Sequence, residues 1–184
     1  MQDIHDVFVK TGAIKKGHFI RKSGRHTDCF VQCSHLFENC ELGERVCREL
    51  AERVKDIDSD IVLGAAIGGV LPSFLVAKEL KKPNIFCERK DGALLLSRGF
   101  RILEGAKVLI VEDEVTTGSS VREMIEMVYA LGAKPVAVAC FVDKSSQNLD
   151  FGIPFISLIR QEVSAFKQEE CPLCKENIPL DIIG

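Results

Sequence analysis

The sequence predicts an α/β fold built on a doubly wound, mainly parallel sheet, and three observations carry that expectation. Short unbroken apolar runs at Ile61-Val62-Leu63 and Val108-Leu109-Ile110-Val111 read as strands buried on both faces. Each run leads into a loop of small residues and then a helical pattern. That strand, loop, helix order recurs without an internal repeat or a linker, and extra pieces stand at both ends.

Size and composition agree with this reading. With 184 residues, 46% of them hydrophobic, the chain has the material for about one domain with a full-sized core, taken as residues 1–184. The formal charge of -3, with no dense Lys/Arg run, argues against a nucleic-acid surface but leaves room for a small anionic substrate held by local cations. No apolar run approaches the roughly 20 residues of a membrane span, and Met1-Gln2-Asp3-Ile4 does not begin a signal peptide, so no membrane partner and a cytoplasmic location are expected.

Taken in order, residues 1–11 suggest a short helix with Ile4, Val7 and Phe8 on one side, broken by Gly12 and Gly17. His18–Ile20 and Cys29–Gln32 read as short strands around the polar turn Lys22-Ser23-Gly24-Arg25. Glu41–Lys55 is helical, with Val46, Leu50 and Val54 on one face, and Ile61–Leu63 is a buried strand. Gly64-Ala65-Ala66-Ile67-Gly68-Gly69 then opens a helix running to Leu80, an arrangement that offers an anion backbone N–H groups and a helix N-terminus. Ile85–Cys87 is a strand, and residues 88–101 fit a β-hairpin with a mobile tip at Asp91-Gly92. Val136–Phe141 is a strand ending near Asp143 and Lys144, another lies near Phe155-Ile156, and the tail is less regular. A small hood is expected from about 12–36 and 150–184.

The segment Lys107–Gly132 carries the chemistry. Glu112 and Asp113 fall at the carboxyl end of a buried strand, the edge at which open α/β sheets bind ligands, where carboxylates accept hydrogen bonds from hydroxyls. Thr116-Thr117-Gly118-Ser119-Ser120 follows, with small residues, hydroxyl donors and a helix start all suited to a phosphate. Ser120 and Glu123 have capping-box spacing, Val121, Met124, Ile125 and Val128 form the apolar face, and Gly132 with Pro135 supplies the stop. A polar loop beside solvated acids would also occur in an ordinary βα unit, but two adjacent acids followed by Thr-Thr-Gly-Ser are far less common. The chain has no GxxxxGK[ST] and no early GxGxxG.

Eight cysteines without a secretion signal read as reduced thiols. Cys47, Cys87 and Cys140 lie in apolar patterns and read as small core residues. Cys171-Pro-Leu-Cys174 stands at metal-ligand spacing. It would need two more ligands, with Cys29, Cys33, Cys40, His26 and His35 as candidates, and on its own it reads as a tight turn.

Residues 108–120, VLIVEDEVTTGSS, resemble the phosphoribosyl-diphosphate motif of the type I phosphoribosyltransferases. KGHFIRKSGRHTDCFVQC up to Cys33, the Gly64–Gly69 loop, Glu88-Arg89-Lys90-Asp91-Gly92 and Glu170-Cys171-Pro172-Leu173-Cys174 resemble the short-loop bacterial and archaeal form of the orotate phosphoribosyltransferases. The likeness spans nearly the whole chain. It implies a magnesium-dependent transfer of the phosphoribosyl group from phosphoribosyl diphosphate to orotate, in pyrimidine nucleotide biosynthesis, by a homodimer. Magnesium would be held through substrate oxygens, with no direct protein ligand.

By the same resemblance, Glu112 and Asp113 bind the ribose hydroxyls, and Val115, Thr116, Thr117, Gly118, Ser119 and Ser120 bind the 5′-phosphate. Ala65, Ala66, Ile67, Gly68 and Gly69 hold the diphosphate, and Arg89 and Lys90 form the basic pair before the mobile loop. Glu112, Asp113 and Lys90 make up the catalytic group. Glu114 belongs to the same motif but reads as a solvated third acid. Lys22, Phe30, Thr116 and Lys144 match the orotate-contacting positions. The diphosphate loop lacks the lysine of many relatives, and Lys144 stands where most have arginine. The further lysine and histidine of longer-loop relatives are missing too, with Arg98 and Arg101 as substitutes. Rival readings are a purine phosphoribosyltransferase, which would gain little from the cations Lys22 and Lys144, and a non-catalytic sensor of phosphoribosyl diphosphate, for which neither a nucleic-acid domain nor a basic face is present.

Overall fold

The computed structural model describes residues 3–21 and 23–181. The chain divides into two compact units: a larger one from Glu41 to Gln161, and a smaller one drawn from both ends, up to Cys40 and from Glu162. The strand after Pro154 joins the main sheet.

The larger unit opens with α2 (Cys40–Val54), whose Val46, Cys47, Leu50 and Val54 are fully buried, as their spacing predicts. There follow β3 (Ile61–Ala65), α3 (Val70–Leu80), β4 (Asn84–Lys90), β5 (Ala93–Leu96), β6 (Lys107–Val115), α4 (Ser119–Ala130), β7 (Lys134–Asp143) and β8 (Phe155–Arg160). The sheet order is β5-β4-β3-β6-β7-β8. All neighbours run parallel except β5, which returns against β4 as the expected hairpin. Its turn, Asp91-Gly92, has positive φ at both residues (51° and 87°), a backbone that favours a tight two-residue connection.

The chain winds outward from β3 to β4, then crosses to the other side of β3 to lay down β6, β7 and β8. The strand order therefore reverses between β3 and β6, and the crevice at the carboxyl ends of such a pair is where doubly wound sheets bind ligands. Val108 and Ile110 of β6 pack with Leu63, Val138, Cys140 and the α4 residues Val121, Met124 and Val128 in one core cluster. Leu109 and Val111, pointing the other way, are equally inaccessible, so β6 is buried on both faces. Burial pushes the Cys87 thiol up to about 12 and that of Cys140 well above its ordinary value. Both are inert core residues, as is Cys47. Gly132 (φ 74°) ends α4, with the N–H of Ala133 donating to Val128 O at 3.1 Å.

In the smaller unit, α1 (Ile4–Lys10) is capped by Asp3 and buries Val7 and Phe8. β1 (Ile14–Ile20) pairs antiparallel with β2 (His26–Val31). Gly17 does not break the chain here; it sits inside β1, where the register slips between Lys16 and Phe19, and a Cβ on it would meet the Phe19 ring at 2.9 Å. A short 3-10 helix over Cys33–Glu38, unsuspected from the sequence, follows β2. The tail adds β9 (Ala165–Phe166), α5 (Pro172–Lys175) and β10 (Leu180–Asp181), completing a sheet of order β10-β1-β2-β9. Among the described residues, no helix is long and apolar enough to cross a membrane.

Candidate active site

The site grows from the ends of β3 and β6. β6 runs through all three acids to Val115, further than its apolar run suggests. The parallel register pairs Gly64 with Val111, so Ala65 and the loop after it emerge beside Glu112 and Asp113. Three glycines let that loop close down. A Cβ at Gly64 would stand 2.8 Å from Ser73 Cβ, one at Gly69 would stand 3.0 Å from Glu112 Oε2, and one at Gly68 would stand 2.6 Å from Asp113 Cγ. Loop and acid pair are thus in van der Waals contact. The Ala66-Ile67 peptide is cis. The N–H groups of Ala66 and Gly69 donate to Cys87 O and Ala65 O, at 2.8 and 2.9 Å. Among the described residues, none accepts from the N–H of Ile67 or Gly68 at the exposed crest, so these two amides are the loop's available donors.

Glu112 is almost wholly buried, and burial, reinforced by the charges of Asp113 and Glu114, pushes its carboxyl up to about 8. Asp113 is raised to about 6 by burial and then by Glu114, against which the Glu114 N–H donating to its Oδ1 at 2.8 Å pulls it down. Two adjacent carboxyls raised toward neutrality are what a ligand's hydroxyls or a cation would stabilise, and such shifts cluster at functional sites. Glu114 is not the solvated acid expected. It is half-buried and bonded to the Lys144 ammonium at 2.7 Å, since β7 pairs Val142 with Glu114 and Asp143 with Val115, which delivers Lys144 to that edge.

The 116–120 segment runs from β6 into α4. Gly118, with φ 76°, makes the turn, and a Cβ there would meet the Phe151 ring at 2.9 Å. Thr116, Thr117 and Ser119 are exposed, and the Ser119 N–H donates to Thr117 Oγ1 at 3.4 Å. The expected capping box is not formed. The helix begins at Ser119, so Ser120 lies inside its first turn, and Glu123 is taken by Arg89, whose guanidinium grips both carboxylate oxygens at 2.9 and 3.0 Å. That pairing places Arg89 beside α4, while Lys90 is exposed at the end of β4. Arg98 is likewise engaged, bonded to Glu88 at 3.0 and 2.8 Å.

In the smaller unit, Phe30 lies half-buried on β2 with its ring 5.9 Å from that of Phe19, and Lys22 lies outside the described residues. The Cys171–Cys174 pair is more than the tight turn expected. His18, His26, Cys171 and Cys174 present one ligand atom each, all within 4.8 Å of one another. Of the five candidates weighed from the sequence only His26 joins the pair; His35 bonds Glu38 at 2.5 Å instead. His18 was missed, although a histidine in each of two adjoining strands was a signal for it.

The phosphoribosyl transferase domain family matches residues 37–171. The orotate phosphoribosyltransferase of Thermotoga maritima is 46% identical over 181 residues, 98% of this chain and 97% of that protein. That of Caldanaerobacter subterraneus subsp. tengcongensis is 44% identical over 179 residues, 97% of this chain and 94% of that one. In fold, the crystal structure of orotate phosphoribosyltransferase from Aeropyrum pernix aligns with TM-score 0.70 at 21% identity, over 85% of this chain and 93% of that one. A switch-point crevice walled by an acid pair, a glycine loop and a Thr/Gly/Ser turn, together with this full-length likeness, shows that the chain belongs to the phosphoribosyltransferase family, among the orotate phosphoribosyltransferases.

Proposed function

We propose that this chain transfers the 5-phosphoribosyl group of phosphoribosyl diphosphate to orotate, giving orotidine 5′-phosphate and diphosphate. The observation that carries the reading is the contact of Gly68 with Asp113: groups suited to a diphosphate and to a ribose diol adjoin at one sheet edge. The names of relatives sharing nearly the full length support orotate as acceptor.

In this reading Glu112 and Asp113 hold the ribose hydroxyls while the bond from the anomeric carbon to diphosphate breaks and that to the orotate ring nitrogen forms. Ile67 and Gly68 donate their N–H groups to the diphosphate, with Arg89 and Lys90 as its cations. Val115, Thr116, Thr117, Gly118, Ser119 and Ser120 cradle the 5′-phosphate at the start of α4. Catalysis rests on positioning and charge stabilisation, for which one well-placed donor contributes about 3 to 4 kcal/mol. The raised carboxyls of Glu112 and Asp113 fit a nearby dication, and magnesium, held mainly through substrate oxygens, would offset the charge of the departing diphosphate. Lys144 and Thr116 face orotate in this scheme, and Lys22 and Phe30 enter it on resemblance alone. A cytoplasmic homodimer completes the proposal. Steady-state loss of orotate in the presence of phosphoribosyl diphosphate and magnesium tests it, with hypoxanthine, guanine and uracil as competitors. Turnover of a purine without turnover of orotate would sink the reading.

A further inference from the structure

The smaller unit holds a cluster that the phosphoribosyl chemistry does not use. His18 Nε2 lies 3.5 Å from Cys171 Sγ and 3.6 Å from Cys174 Sγ, and His26 Nδ1 lies 3.3 Å from Cys174 Sγ. The two ring nitrogens are 2.7 Å apart. Around a tetrahedral ion with bonds of roughly 2.0 Å to nitrogen and 2.3 Å to sulfur, ligand atoms stand about 3.3 to 3.8 Å from one another. The nitrogen–sulfur distances already match such edges.

The surroundings orient the ligands. His18 Nδ1 lies 2.8 Å from the carbonyl oxygen of Ile178, which can only accept, so Nδ1 carries the proton and Nε2 offers a lone pair to the cluster. His18, His26 and Cys171 are buried and Cys174 is half-buried. The set contains nitrogen and sulfur but no carboxylate, the donor choice that suits zinc over magnesium or calcium.

The tail needs such an anchor. From Glu162 to Asp181, Cys171 is the only buried apolar side chain among the described residues, and the regular elements there are two strands of two residues and short helical turns. A segment with so little apolar burial has little to offset its ordering entropy. Its one buried side chain is a member of the cluster.

We propose that His18, His26, Cys171 and Cys174 bind one zinc ion in a closed, four-ligand structural site that fastens the C-terminal tail to the β1–β2 hairpin. Both thiols lose their protons to solvent as the ion binds, and the site has no open position for a substrate.

Full-length protein, purified without a metal-binding tag or chelator, should carry about one zinc per chain by elemental analysis. After chelation, titration with cobalt(II) should restore one equivalent and produce the intense visible bands and thiolate charge-transfer absorption of a tetrahedral site. Cys174→Ser and His18→Ala should lose the metal, and Cys40→Ser, at an exposed cysteine outside the cluster, should keep it. Chelation should also speed tryptic cleavage after Lys167 and Lys175. The proposal is overturned if the wild-type chain neither carries nor takes up one equivalent of zinc, if cobalt gives only a weak octahedral spectrum, or if Cys174→Ser binds as wild type does. The wild-type titration decides the matter even where His18→Ala fails to fold.

Discussion

Gly68 packs against the carboxylate of Asp113 so closely that a methyl group there would lie 2.6 Å from Asp113 Cγ and 2.7 Å from Oδ1. In the proposed function the contact joins the loop that would hold the diphosphate to the acids that would hold the ribose, so each fixes the position of the other. Gly68→Ala must push the loop or the acid away, and a displacement near 1 Å in such a site costs about 100-fold in rate. We expect kcat/KM for phosphoribosyl diphosphate to fall by about that factor. Far-UV circular dichroism should be unchanged, since Gly68 lies outside the regular elements. Wild-type kinetics in this variant would refute the coupling.

Under the proposed function Asp113 serves the ligand at the expense of the ligand-free fold. Its carboxyl is raised to about 6 by burial and by Glu114, so near pH 8 its ionised form opposes folding. Asp113→Asn keeps the Oδ1 that accepts from the Glu114 N–H and removes the charge. Ligand-free protein should therefore gain on the order of 1 to 3 kcal/mol at pH 8, seen as a melting temperature several degrees higher. Turnover should fall by at least 100-fold. A variant that is both fully active and no more stable would show that the acid is not held for substrate.

Glu112 gives the stability a pH dependence of defined sign. Its carboxyl has an ordinary value near 4.5 and stands at about 8 in the fold. Below 4.5 it is protonated folded and unfolded alike, and nothing is lost. As pH rises toward 8 the unfolded chain releases the proton while the folded chain retains it, which favours unfolding, and above 8 the whole cost is present. The melting temperature of ligand-free protein should fall between pH 5 and pH 8, and Glu112→Gln should flatten that decline. Equal slopes for the two proteins, measured by scanning fluorimetry, would remove Glu112 from the account.

How far this was legible beforehand follows from where each signal lives. β3, β6 and α4 announce themselves because local apolar period and buried position coincide, and the acids and glycines fall at fixed distances along one strand, loop, helix unit. What escaped notice depends on residues far apart. Glu123, on α4, has a partner in Arg89 on β4, so its capping-box spacing misled. Glu114 reads as solvated until β7 brings up Lys144. His18 meets Cys171 and Cys174 across about 150 positions, and the tail between Glu162 and Asp181 has no period to read.

The Arg89–Glu123 pair tests whether the basic residues before the hairpin turn work for substrate or for the fold. Its side chains are 44% and 36% exposed, so solvent screens the ion pair and it adds little to stability. Glu123→Gln should barely move the melting temperature. If Arg89 serves the diphosphate, Arg89→Ala should raise KM for phosphoribosyl diphosphate about tenfold. An Arg89→Ala variant with unchanged KM would leave the arginine a structural partner of α4.

Lys144 has one task in the fold and, under the proposed function, a second that can be separated from it. Its ammonium neutralises Glu114 at a site where the two side chains are only 14% and 29% exposed, and Glu114 Oε2 has no hydrogen-bond partner among the described residues. Lys144→Met strands that carboxylate and should destabilise the protein by about 1 to 3 kcal/mol. Pairing it with Glu114→Gln in a double-mutant cycle should recover most of the loss, because the orphaned charge is then gone. The recovered double variant isolates the second task, since any defect it keeps is no longer one of folding. If Lys144 also receives the orotate carboxylate, the double variant should still show KM for orotate raised tenfold or more, with KM for phosphoribosyl diphosphate little changed. Lys144→Arg, which preserves the charge, should retain most of the orotate affinity. Recovery of both stability and orotate KM in the double variant would confine Lys144 to neutralising Glu114, and the cation for the acidic base would have to be sought elsewhere.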